Sequence, residues 1–131
     1  MNLSSRYGLV GIGALAILSL VHWARGLPHG GSQLYSYLLG VLPNLLAAVS
    51  IPFVILGIFA EQHSDATYST LKRWFAGSAA LSGTGLIAWE FIQQTSRRLV
   101  FDVHDIGATL VGLNFALFLF LAITRRSKLK E

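Results

Sequence analysis

The chain has 131 residues, 53% of them hydrophobic and only 12% charged, with a formal net charge of +4. A soluble domain usually carries about 25% charged residues, so lipid is the expected solvent for most of this surface. The absence of cysteine excludes disulfides, thiolate zinc sites and iron–sulfur clusters. The excess positive charge gathers in a short tail, which does not suggest a nucleic-acid-binding face.

Charges are missing between Arg6 and Arg25, between Arg25 and Glu61, between Arg73 and Glu90, and between Asp105 and Arg125. About 20 apolar helical residues cross a hydrocarbon core of about 30 Å, so each gap is predicted to hold one crossing. The first helix is predicted over Tyr7–Ala24. It follows Arg6 as the apolar part of a secretion signal would. The stretch His22-Trp23-Ala24-Arg25 lacks the small residues of a cleavage site, so an uncleaved helix is expected. Gly8, Gly11 and Gly13 lie inside this apolar run with no strand before them, and they read as helix packing, not as a nucleotide loop.

A turn-forming loop with Gly26, Pro28, Gly30 and Gly31 follows, and His29 within it reads as solvated. The second helix is predicted over Tyr37–Ala60 and contains Pro43 and Pro52, which lipid-embedded helices tolerate as bends. Polar residues Glu61–Thr70, including His63, form the next loop. The third helix is predicted over Leu71–Ser96 and the fourth over Val103–Thr124, followed by Arg125, Arg126, Lys128 and Lys130. Trp23, Trp74 and Trp89 fall near helix ends, as interface anchors do. No internal repeat or low-complexity tract interrupts this order. The expected fold class is an all-α four-helix transmembrane bundle.

Lysine and arginine counting sets the expected orientation. With both termini inside, Arg6, Lys72, Arg73, Arg125, Arg126, Lys128 and Lys130 are cytoplasmic, and only Arg25, Arg97 and Arg98 lie opposite. This asymmetry favours cytoplasmic termini.

The chemistry gathers near the outward helix ends. At 100° per residue, Ala76, Ala79, Gly83, Ile87, Glu90, Gln94 and Arg97 share a face of the third helix, with Gln93 at its margin. Asp102, Asp105, Ala108, Thr109, Gly112 and Ala116 share a face of the fourth. Small side chains let backbones approach, so these two faces are expected to pack on each other and bring Glu90 towards Asp105. His22, Arg25 and Asn44 lie at similar depth. Carboxylates at membrane depth are costly, usually paired and often functional. The expected site is an outward polar pocket of Glu90, Asp102 and Asp105, with Arg25, Arg97 or Arg98 as counter-charges and His22, Asn44, Gln93 and Gln94 around them. No spacing here is diagnostic of a metal, although His104 could join both aspartates around one. Asn114 points away from the Asp105 face and is expected to bond to the first helix or to another subunit.

Glu90-x-x-Gln93, an arginine in the short loop, Phe101-Asp102-x-x-Asp105-Ile106 and then Gly112 resemble the signature of the VanZ-like family of small membrane proteins. The likeness covers the last two helices and extends more loosely to Pro43-Asn44 and to overall size. Thr109 stands where many members have asparagine. Arg98 is one residue further from Phe101 than is usual, so either Arg97 or Arg98 is the matching residue. The family's founding member is associated with teicoplanin resistance. The resemblance implies a single membrane domain over residues 1–131 that faces the cell envelope, and it supplies no reaction. The expected ligand is therefore an envelope precursor or an anionic lipid head group, with no cofactor. Guanidinium groups would grip it, and the carboxylates would orient them or relay a proton. Two other readings stand beside this one: a non-catalytic accessory subunit or homo-oligomer within the membrane, and a metal-dependent lipid-phosphate hydrolase or transferase.

Overall fold

Each helix begins where a short polar side chain can take an amide that would otherwise lack a partner. In the computed structural model, which describes residues 1–28, 30–95 and 102–128, Asn2 Oδ1 accepts from the Ser5 amide at 2.9 Å. Ser32 and Thr67 do the same for Tyr35 and Thr70, and Asp102 Oδ1 takes the His104 amide at 2.8 Å. The helices that follow are α1 (Leu3–Arg25), α2 (Gln33–Gln62), α3 (Tyr68–Gln94) and α4 (Val103–Lys128). There is no strand among the described residues.

The first three helices thus start earlier than the apolar runs do, at Leu3, Gln33 and Tyr68, because capping draws polar first turns into the helix. Hydropathy cannot register those turns. The third helix ends at Gln94, where Thr95 folds its amide and its hydroxyl onto the Ile92 carbonyl, at 3.1 and 2.7 Å. The predicted end at Ser96 lies outside the described residues. At the other extreme α4 runs on to Lys128, carrying part of the basic tail as helix.

Three helices, α1, α2 and α4, are long and apolar enough to cross a membrane. The remaining one, α3, has 27 residues and at 1.5 Å per residue spans about 40 Å. Its composition is more polar, and it turns Ser78, Ser82 and Glu90 inward, where all three are buried.

Packing centres on α2, which touches each of the other three helices and α1 most extensively. The close approach depends on glycine. A Cβ on Gly11 would fall 2.7 Å from the Val54 amide nitrogen, and one on Gly57 would fall 3.1 Å from that of Gly8. Of the three glycines in the first apolar run, Gly11 is required by packing and Gly8 offers its backbone to Gly57, while a Cβ on Gly8 or Gly13 would meet nothing within 4 Å. Between α2 and α4 the constraint is tighter: a Cβ on Gly112 would lie 2.5 Å from the Leu45 carbonyl oxygen. Backbones in membranes associate closely at such small residues.

This corrects one expectation. The small-residue face of α4 packs mainly on α2, because Gly112 seats against Leu45 and Ala48. Gly83 of α3 does meet Leu113 of α4. Around this contact α3 and α4 leave a groove of about 410 Å³, lined by Phe75, Ala76, Ala79, Leu110, Leu113 and Asn114 among others. At one end of the groove the core is aromatic. Phe75 stacks on Phe120 at 4.5 Å, and Tyr7 packs against both Phe53 and Phe120.

The start of α1, the α2–α3 connection and the end of α4 lie together at one end of the bundle. There the Tyr7 hydroxyl bonds with Thr124 at 2.6 Å, and Ser4 bonds with Glu61. The candidate site occupies the other end.

Candidate functional site

Four helices contribute to one polar cleft of about 340 Å³. From α1 come His22 and Arg25, one turn apart on an exposed face. From α2 come Gly40, Pro43, Asn44 and Ala47. Pro43 has no amide hydrogen to donate, so the helical ladder is interrupted beside the cleft. α3 supplies Trp89, Glu90 and Gln93, and α4 supplies Asp105. Connections between helices place all of these at one level, because each helix turns back close to the same end of the bundle.

Glu90 lies at the base of the arrangement and is only 1% exposed. The Asn44 and Gln93 side-chain amides both donate to its Oε1, each at 3.1 Å. Its other oxygen, Oε2, is buried with no hydrogen-bond partner among the described residues. A buried acceptor left unmet costs about 1–3 kcal/mol, and more when charged. The fold therefore holds Oε1 firmly and, among the described residues, leaves Oε2 without a partner. Asp105 is half-buried on the adjoining helix. No ion pair between Arg25 and a carboxylate occurs among the described residues. The arginine expected as a structural counter-charge stands exposed at the cleft.

The expected residues divide as follows. Glu90, Asp105, His22, Arg25, Asn44 and Gln93 line one cleft, as their depth along the sequence suggested. Asp102 does not line it, because its carboxylate caps α4 by accepting the His104 amide. The position of Gln94 in α3 is described but not its side chain, and Arg97 and Arg98 lie outside the described residues. Thr109 donates to the Asp105 carbonyl at 2.9 Å, so its hydroxyl is used up within α4.

His104 turns away from the aspartates and packs edge-on against Tyr37, with Nδ1 3.2 Å from the Tyr37 hydroxyl. The metal site imagined between His104 and both aspartates is not formed, and among the described residues no three His, Cys, Asp or Glu side chains come together. Asn114 reaches neither the first helix nor the cleft. Its amide donates to the Leu110 carbonyl of its own helix at 2.9 Å, at the rim of the α3–α4 groove.

Sequence reasoning missed six cleft residues, among them the apolar Leu18, Ala47 and Leu86. Trp89, read only as an interface anchor, lines the cleft, and so do Pro43 and Gly40. The Pro43-Asn44 pair was the available signal, since a helix-breaking proline next to an amide at membrane depth suggests a locally opened backbone.

No protein-family model matches this chain, and no curated protein or solved structure matches it either.

Proposed function

We propose that this chain is a multi-pass protein of the plasma membrane, of VanZ-like type, whose cleft binds the head group of an envelope or lipid component. The observation that carries the reading is Glu90, a buried carboxyl that lines a cleft shared by four helices and whose Oε2 lacks a partner among the described residues. A purely structural clamp would be expected to satisfy both oxygens, because membrane interiors penalise unmet polar groups. The exposed Arg25 beside it supplies a guanidinium fork suited to a phosphate or carboxylate.

The topology of this proposal has four crossings with both chain ends in the cytoplasm. It rests on the excess of lysine and arginine at the Tyr7–Thr124 end of the bundle. The cleft then opens towards the outer leaflet, where envelope precursors and lipid head groups are presented. Its family assignment rests on Glu90, Gln93, Asp102, Asp105 and Gly112 at their spacing.

The test is tolerance of cells to a lipophilic glycopeptide or to envelope stress when the chain is expressed. Glu90→Gln and Asp105→Asn are each expected to abolish the gain while the protein still inserts and folds. Full tolerance in both variants would overturn the reading.

A second reading, an accessory subunit in a larger assembly, has one observation in its favour. Asn114 is exposed midway along α4, and its amide bonds only within its own helix. A partner helix in the α3–α4 groove would give that amide a cross-helix bond of the kind that fastens membrane helices. Stoichiometric co-purification of another membrane protein, lost in Asn114→Leu, would favour this reading over the first.

A further inference from the structure

We infer that the head group recognised by this cleft carries a primary ammonium next to a phosphate, with the ammonium donating to Glu90 Oε2 and the phosphate lying on Arg25. The inference rests on the head-group reading above and narrows it from any anionic or polar head group to a zwitterionic one.

The argument begins with what the cleft lacks. Asn44 and Gln93 both present N–H groups to Glu90 Oε1, so the carboxyl acts here as an acceptor. In the proposed complex the carboxylate accepts on both oxygens, so the partner assigned to Oε2, which has none among the described residues, is a donor. Charge gives the same answer. Among the described residues, Glu90 and Asp105 line the cleft together with one arginine, Arg25. A simple anion gripped by Arg25 would face two carboxylates, and like charges so close oppose binding. A group carrying both signs meets both kinds of partner.

The type of cation follows from hydrogen-bonding capacity. A primary ammonium has N–H donors to give, whereas a quaternary ammonium has none. The exposed ring of Trp89, also at the cleft, attracts either cation through its π face and does not discriminate between them. Discrimination falls to Glu90. A hydrogen bond to a charged group contributes about 1.5–3 kcal/mol, equivalent to about tenfold or more in affinity.

The test titrates the detergent-purified full chain with short-chain phosphatidylethanolamine, phosphatidylcholine and phosphatidylglycerol, with glycerophosphoethanolamine as the same head group without acyl chains. The wild-type chain is expected to bind the ethanolamine lipid at least about tenfold more tightly than either other lipid. Glu90→Gln is expected to bring the three affinities within about twofold of each other, and Arg25→Ala to weaken all three alike, since each contains a phosphate. Equal or tighter binding of the choline or glycerol lipid by the wild-type chain would overturn the ammonium assignment and leave a head-group cleft standing. No saturable binding of any of the three would overturn the head-group reading itself. Binding of glycerophosphoethanolamine as tight as that of its lipid would overturn a membrane source for the ligand, and much weaker binding would support one. The wild-type ratio decides the matter even if Glu90→Gln fails to fold.

Discussion

The two ends of this bundle treat buried polar groups in opposite ways. At the Tyr7 end, Thr124 donates to the Phe120 carbonyl at 2.6 Å, so its oxygen is left to accept from the Tyr7 hydroxyl. Both side chains are fully buried and both are satisfied. Ser4 and Glu61 close a second link between α1 and α2 close by. At the Glu90 end a carboxyl just as deeply buried is satisfied on one oxygen only. A pair that joins α1 to α4 in the first place does structural work. A carboxyl that lines a four-helix cleft with one oxygen unmet among the described residues is, on the proposal above, kept for a ligand. Burial alone does not separate the two cases, nor does an unmet atom, since buried Ser82 Oγ also lacks a partner among the described residues; the cleft that Glu90 lines is what sets it apart.

The comparison is tested most severely by a change that should damage both ends together. Gly112 lies two helical turns from Asp105 on α4, seated on the Leu45 carbonyl. Gly112→Leu must force α4 away from α2, since a Cβ alone would fall 2.5 Å from backbone. Overpacking of this kind costs about 1–3 kcal/mol and sometimes more. Both the unfolding temperature in detergent and head-group binding are expected to fall. A stable variant that binds normally would mean that α4 is not held at this contact.

Tyr7→Phe is expected to do less and to affect one end only. It removes a single hydroxyl and leaves Thr124 bonded to Phe120, so the loss should be about 1 kcal/mol. Thermal unfolding is expected to shift modestly, with binding at the far cleft unchanged. A matching loss of binding would show that the two ends are coupled, and the contrast between them would then weaken.

How much of this was legible in the sequence depended on which physical signal each feature leaves. The four helices could be read because charge-free runs the length of a bilayer leave a strong mark, and Gly8 and Gly11 betrayed close packing in the same way. Helix starts were misjudged because Asn2, Ser32 and Thr67 act through local capping, which apolar periodicity ignores. The convergence of Glu90, Asp105, Asn44 and Arg25 was legible from depth alone. Partner choice was not. Periodicity shows that Gly112 faces inward but not that α2, instead of α3, receives it. Nor does spacing distinguish Asp102, which caps a helix, from Asp105, which lines the cleft. Both lie on one helical face, and only the position of the first turn of α4 separates their roles.

The smallest stability effect is expected at the most deeply buried acid. In Glu90→Gln the retained oxygen still accepts from Asn44 and Gln93, and the group in place of Oε2 becomes a neutral amide. The amide brings no charge into this buried position. The unfolding temperature should therefore stay the same or rise, although the substituted residue is only 1% exposed. Head-group binding should fall in the same preparation. Stability and binding moving in opposite directions is the mark of a group held ready for a ligand, since a structural partner would lose both. If Glu90→Gln instead lowers the unfolding temperature by more than Tyr7→Phe does, then Oε2 has a partner within the fold. The two ends would then be alike.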